Sequence, residues 1–324
     1  MSDRFDELIS TTLKNYVSNT LEDNIFNQMV LFRWLNEKGG CKELQDGGEK
    51  IQVPLLYGKN STASSYKGYD VLDTTPQTGI ANAFYDWKQE SVSITIDRRS
   101  ERINSGKHAI VKLLKAKIIQ AEMSLYDLFA EQLYLDGTGN ENKDLLGFAA
   151  IASSTPATGI VGGINAADHS WWRNYQVSGA KSSTAFDNLL ARMRTAYNTQ
   201  SKGSAGDHPD LYITSQTVYE GWEGLLTVDI NFNVAMVDTK LAELGFENYK
   251  FKGARVVWDS YITSDIMYVL NSKYLKLYVD TQTDFINTPF IRPVNQDART
   301  SQILWMGELC CSNRSKNGVI TDIT

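Results

Sequence analysis

Cysteine, histidine, proline, basic charge and long apolar runs are all scarce in this chain of 324 residues. No window reaches the roughly 18 uninterrupted apolar residues that a membrane-spanning helix needs. The start, MSDRFDELIS, lacks a basic region followed by an apolar run, so no secretory signal and no membrane anchor are expected. A formal net charge of −6 leaves no basic footprint and argues against binding driven by phosphate neutralisation. An acidic chain can still enclose DNA without gripping it. Three cysteines, Cys41 and the adjacent pair Cys310 and Cys311, fit a reducing compartment, because neighbours on a strand point to opposite faces and do not bridge.

Catalytic constellations are missing too. His108, His169 and His208 have no further histidine, cysteine or paired carboxylate at metal-ligand spacing. There is no nucleophile elbow, Walker loop or zinc-protease helix motif. The single G-x-G, Gly137 to Gly139, follows a helix and reads as its terminator. Gly162 and Gly163 precede no helix and read as a turn rather than a phosphate cradle. Trp171 and Trp172 have only Arg173 as a nearby base, which favours packing over stacking on nucleobases. No catalytic residue, metal or cofactor is assigned.

What is present is a sequence of contrasting segments. Apolar residues at helical spacing (Phe5, Leu8, Ile9, Leu13, then Ile25, Phe26, Met29, Val30) predict a helical arm up to Gly39. Ile51, Val53, Leu55 and Tyr57 alternate as a strand that Pro54 confines to an edge. Val92, Ile94 and Ile96 alternate again, so residues 51–96 read as the two strands of one extended hairpin. Between them, residues 59–87 have no helical period and little aliphatic content, and loops of that length are uncommon inside a compact domain. Such a segment is either disordered or an arm for another molecule's surface. Its aromatics, Tyr66, Tyr69, Phe84, Tyr85 and Trp87, argue against plain disorder.

Ile110, Leu114, Ile118, Ala121, Leu125, Leu128 and Leu133 then predict a helix over 105–136, about 48 Å long at 1.5 Å per residue. Its lysines sit in the first half and its acids in the second, against the helix dipole. A Gly-, Ser- and Thr-rich stretch over 138–182 is expected to be mostly loop. A mixed region follows: a helix through Phe186, Leu189, Met193 and Tyr197, the strand LYIT, short helices, and the strands YKFKGARVVW, IMYVL and YLKLYV. The tail holds a strand over 300–312 and then VITDI.

This order of elements, with the segments DNIF (23–26), DGGEKIQVPLLYGKNSTASSYKGYDVLDTTPQ (46–77), INSGK (103–107) and VGGINAADHSWWRN (161–174), resembles the major capsid proteins of tailed bacteriophages with the HK97-type fold. The resemblance implies an α+β fold with a helical N-terminal arm at 1–45 and an extended β-hairpin E-loop at 46–90. It also implies a peripheral domain with its long spine helix at 91–141, an axial domain at 142–283, and a C-terminal β segment at 284–324 returning to the peripheral domain.

The function implied is that of a structural, non-enzymatic subunit. It would self-assemble into the hexamers and pentamers of an icosahedral head around double-stranded DNA. Its partners would be copies of itself, with a separate scaffolding protein and a portal during assembly in the bacterial host cytoplasm. Lys59, Tyr66, Lys67 and Tyr69 at the loop tip would touch a neighbouring subunit. Some relatives join a loop lysine covalently to a neighbour's asparagine, but no motif here marks that asparagine, and ordinary solvated lysines are favoured. The alternatives are a tail-tube or decoration protein, or a hydrolase with an unrecognised site.

Overall fold

The computed structural model describes residues 31, 34–35, 41–103, 113–179, 185–201, 207–228, 249–262, 265–294 and 296–324. The helices expected over 1–30 and 238–244, and the first turns expected of the spine helix, lie outside these residues. Leu31, Trp34 and Leu35, at the end of the expected arm, are buried.

Two sheets organise the chain. The first has five strands: β1 (Lys42–Gln45), β4 (Lys88–Asp97), β12 (Leu275–Asp280), β13 (Ile286–Asn287) and β14 (Ala298–Cys311). Its spine is β14, antiparallel to β4 along ten residue pairs from Ala298↔Asp97 to Gly307↔Lys88, and to β12 from Cys311↔Leu275 onward. In β4, Ile94 and Ile96 turn inward while Ser91, Ser93 and Thr95 face water, as a sheet with one wet face requires. The last five residues of β14 are buried on both faces. Leu309 and Cys311 enter the main core and Cys310 faces a separate cluster under the hairpin described below.

After the short helix α1 (Arg98–Ile103), the helix α2 (Leu113–Gln132) packs on this sheet through Ala121, Leu125 and Phe129, four residues apart and hence on one face. Phe129 meets Trp305 edge-on at 4.5 Å between ring centroids. The helix expected to reach 136 ends at Gln132, where Tyr134 and Leu135 close three-residue turns onto Glu131 and Gln132. Two side chains whose charge order runs against the dipole have partners in the chain: Lys117 donates to the carbonyl of Thr95, and Tyr261 donates to Asp127.

The second sheet has six strands in the order β7-β15-β11-β8-β10-β9: Tyr175–Val177, Gly318–Thr321, Ile266–Leu270, Leu211–Thr214, Ala254–Trp258 and Tyr249–Phe251. One face, through Leu211, Ile213, Val257 and Tyr268, joins the main core with α2. The other carries Tyr212, Val256, Met267, Val269 and Ile320 against α3 (Leu189–Gln200) and α4 (Gln216–Val228). Tyr134 beyond α2 donates to buried Asp259 at 2.8 Å and ties the helix end to this sheet.

Three further features differ from the sequence expectation. YKFKGARVVW is two strands, folded at Lys252 and Gly253, which both have positive φ. The strand Leu275–Asp280 lies within 142–283 yet pairs in the five-stranded sheet, and Gly318–Thr321 of the tail pairs in the six-stranded one. The third concerns the hairpin itself. β2 (Ile51–Leu56) does not pair with 91–96 but with β3 (Ile80–Tyr85), from Ile51↔Tyr85 to Leu56↔Ile80. β4 belongs instead to β14. Alternation tells which way side chains face and not which strand lies alongside.

Candidate assembly interface

The hairpin β2–β3 is anchored at its base. Ile51, Val53, Leu55, Ala83 and Tyr85 face inward onto Val161, Ile164, Trp172 and Cys310. Tyr85 is the deepest link: its hydroxyl donates to the carbonyl of Cys311 at 2.7 Å and accepts from the Cys311 amide at 3.2 Å. Burial pushes the Tyr85 hydroxyl well above its ordinary pKa, so it remains a donor. The support under Ala83 and Tyr85 is the turn Gly162–Gly163 between β5 (Ile160–Val161) and β6 (Ile164–Asn165), with φ of 60° and 73°. The Gly162 carbonyl accepts from the Phe84 amide at 2.9 Å. Trp172 is buried and donates its indole N–H to the Val161 carbonyl at 3.0 Å, and Trp171 stacks on Tyr57 at 4.8 Å. Both tryptophans therefore pack, and VGGIN is a turn.

Beneath the same joint lies Glu308, 2% exposed, accepting from the amides of Leu146 and Leu309 at 2.9 and 2.8 Å. Burial raises its pKa to about 8, against the pull of those two hydrogen bonds and of Lys88. Lys50 and Asp86 pair at 2.9 Å on the surface above, and the hydrogen bond to Asp86 raises the Lys50 pKa.

Past Leu56 the chain leaves the body. The amides of Tyr57 and Gly58 both bond to the Gly79 carbonyl, at 2.9 and 3.3 Å. The backbones approach closely: a Cβ on Gly79 would sit 3.0 Å from the Gly58 carbonyl oxygen. This neck opens into a loop whose residues 59–78 are all exposed except Thr62. Local side-chain turns shape it, Asn60 accepting from Thr62, Asp70 from the Lys67 amide, and Asp73 from Thr75. One side-chain bond crosses it, Ser61 to Gln77 at 2.9 Å. Among the described residues, no hydrogen bond joins 59–78 to anything outside the loop and its neck.

Lys59, Tyr66, Lys67 and Tyr69 all stand on this loop and in solvent, Tyr66 at 66% exposure and Tyr69 completely. Val71 and Leu72 are exposed beside them, as are Leu56, Ile80 and Phe84 on the hairpin's outer face. Tyr85 and Trp87 are not part of the tip: Tyr85 is buried and Trp87 binds the Gly48 carbonyl. The anchors Tyr85, Gly162 and Glu308 escaped sequence reasoning. In IANAFY both faces carry apolar residues, which erases the polar alternation that marks a half-buried strand.

The hairpin is thus buried on one face at its base and presents a solvated loop with apolar and charged residues. Among the described residues no cluster of three or more histidines, cysteines or carboxylates could hold a metal ion. No described helix is long and apolar enough to cross a membrane.

The protein is similar over almost its whole length to a subunit of the cyanophage A-1(L) capsid asymmetric unit. That match has a TM-score of 0.68 and 19% identity, and covers 96% of this chain and 97% of the other. The chain has the HK97-type capsid fold. It is also similar to a subunit of the holo-SrpI encapsulin complex from Synechococcus elongatus, with a TM-score of 0.63, 9% identity, and 98% and 96% of the two chains covered. Against the capsid of cyanophage P-SCSP1u the values are 0.61, 9%, 97% and 94%. No protein-family model and no curated protein sequence matches it.

Proposed function

We propose that the chain is the major capsid protein of a tailed bacteriophage. It is a structural subunit without enzymatic activity that self-assembles into the hexamers and pentamers of an icosahedral head enclosing double-stranded DNA. The observation that carries this reading is the exposed loop 59–78 on a buried anchor, in a fold whose similar solved examples include phage capsids. The loop, which among the described residues bonds to nothing beyond itself and its neck, is stabilised by a neighbouring copy that Lys59, Tyr66, Lys67 and Tyr69 touch. Residues 46–90 act as the E-loop, 91–141 with the five-stranded sheet as the peripheral domain, and 142–283 with the six-stranded sheet as the axial domain, apart from the strand Leu275–Asp280, which belongs to the five-stranded sheet. The tail, 284–324, returns to the peripheral domain through β14, and its last strand, Gly318–Thr321, joins the six-stranded sheet of the axial domain. Assembly in the host cytoplasm employs a separate scaffolding protein and a portal. Many modest contacts summed over a closed shell give the strength.

The similarity to an encapsulin subunit supports a second reading, a protein shell without a genome. Electron microscopy of the full chain expressed with its own scaffolding protein, followed by assay of nuclease-protected DNA in packaged particles, separates the two. Closed shells that protect genome-length DNA support the head. Closed shells of fixed size without DNA during infection support the encapsulin-like alternative, and tubes or monomers overturn both. Replacing residues 60–78 with a short Gly/Ser linker should leave a folded subunit that builds no shells; normal shells would remove the loop from the interface.

A further inference from the structure

The chain makes two short passages between its sheets. β11 ends at Leu270 in the six-stranded sheet and β12 begins at Leu275 in the five-stranded one; β14 ends at Cys311 in the five-stranded sheet and β15 begins at Gly318 in the six-stranded one. Each passage is wound into a single 3₁₀ turn, Ser272–Tyr274 in the first and Arg314–Lys316 in the second. Both turns are capped the same way, Asn271 accepting from the Lys273 amide and Asn313 from the Ser315 amide, each at 3.1 Å.

The two turns are bonded to each other. Asn317, fully buried, accepts from the Asn271 amide at 3.0 Å through Oδ1 and donates from Nδ2 to the Asn313 carbonyl at 3.3 Å. The Ser312 amide donates to the Tyr274 carbonyl at 3.0 Å. Buried Asp207 serves both turns: Oδ1 accepts from Asn271 Nδ2 at 3.2 Å, and Oδ2 from the Tyr274 hydroxyl at 2.9 Å. The same Oδ2 pairs with Lys316 Nζ at 3.3 Å, and that ammonium also donates to the Gln200 carbonyl at the end of α3, 2.9 Å away. Burial penalises the Asp207 charge, but the hydrogen bonds from Tyr274 and Lys316 outweigh it and hold its pKa below the ordinary value.

Arg314 serves the hairpin. Its buried guanidinium donates to the carbonyls of Ile151 and Ala150, at 3.0 and 2.7 Å, and to Asn174 at 3.2 Å. Ala150 packs against the cluster that holds the hairpin base, and Cys311, just before this passage, is the residue that Tyr85 grips. The second passage thus touches α3 through Lys316, the first passage through Asn317, and the hairpin's support through Arg314.

The shared apolar core holds the sheets together without fixing their angle, because hydrophobic burial is non-directional. A buried hydrogen-bonded network is satisfied in one geometry only, and a buried ion pair adds little net stability over an apolar pair of the same shape while its geometry is strict. Taking the chain as the shell subunit of the preceding subsection, we propose that Asp207, Lys316, Asn317 and Arg314 are positioning residues that lock the angle between the two sheets, and with it the bearing of the hairpin, so that loosening the lock changes the curvature of the shell.

Spin labels at S93C on β4 and T195C on α3, both exposed positions, read that angle as a distance distribution by double electron–electron resonance in the unassembled full-length subunit. The native thiols Cys41, Cys310 and Cys311 are buried and do not compete for label. D207N/K316M removes both charges and keeps an acceptor for Tyr274. It should broaden the distribution about twofold and, expressed with the scaffolding protein, give shells of mixed diameter. A width equal to that of the parent overturns the lock, and a broadened width with shells of one diameter overturns its control of curvature. Should the double variant not fold, Tyr274→Phe carries the test: it leaves the ion pair in place, smaller broadening is expected, and an unchanged width again counts against the lock. If the parent builds no closed shells while the variant broadens, the shell reading fails and the lock stands.

Discussion

Tyr85 and Cys311 hold each other twice across 226 residues of sequence, hydroxyl to carbonyl at 2.7 Å and amide to hydroxyl at 3.2 Å. This double link fastens the projecting hairpin to the central strand of the five-stranded sheet. The loop is thereby free to be solvated while its base is rigid.

Tyr85→Phe removes both bonds and leaves two buried backbone groups short of a partner. The expected cost is about 1–3 kcal/mol in urea unfolding of the subunit. A loss below the error of that measurement would show that the hydrophobic contacts alone fasten the hairpin.

Gly162 and Gly163 provide an internally controlled pair. Both have positive φ, but a Cβ on Gly162 would lie 2.9 Å from the Ala83 Cβ and 3.0 Å from the Tyr85 hydroxyl, whereas one on Gly163 meets nothing within 4 Å. Gly163→Ala should cost about 1 kcal/mol of backbone strain, and Gly162→Ala clearly more, because it also pushes the hairpin off its support. Equal melting shifts for the two would contradict the packing described here.

Glu308 makes stability depend on pH. Its folded pKa, about 8, lies above the ordinary 4.5, so between these values the folded protein holds a proton that the unfolded chain releases. Stability therefore falls as pH rises through this window, by about 1.4 kcal/mol per unit at most, and levels off above the folded pKa. Glu308→Gln retains an acceptor for the Leu146 and Leu309 amides. It should flatten this slope, stabilising the subunit at pH 8 with little effect near pH 5. Parallel stability–pH curves for the two proteins would refute a buried protonated Glu308.

Legibility from sequence followed the range of the interactions. The strands at 51–56 and 92–96 were visible because one face of each is dry, and the body of α2 because Ile118, Ala121, Leu125 and Leu128 recur on one side. The polar tract after Gly58 was visible as a loop because nothing in it could bury enough apolar surface. Its descending strand, Ile80–Tyr85, was not, since Ile80 and Phe84 on the outer face and Ala83 and Tyr85 on the inner leave no polar alternation. The linker variant is accordingly bounded at residue 78, because removing Ala83 and Tyr85 would strip the anchor as well.

By itself the sequence determined where the chain alternates, where it coils, and that one long segment after Gly58 has no period of its own. Only the tertiary structure decided that Ile51 lies beside Tyr85, that β4 lies beside β14, and that Leu275–Asp280 and Gly318–Thr321 enter different sheets. The reason is physical. Periodicity is written by which neighbours are wet or dry within a few residues, whereas strand partners are chosen by packing between segments up to 200 or more residues apart, where the entropy of closing the loop grows so slowly that it scarcely discriminates.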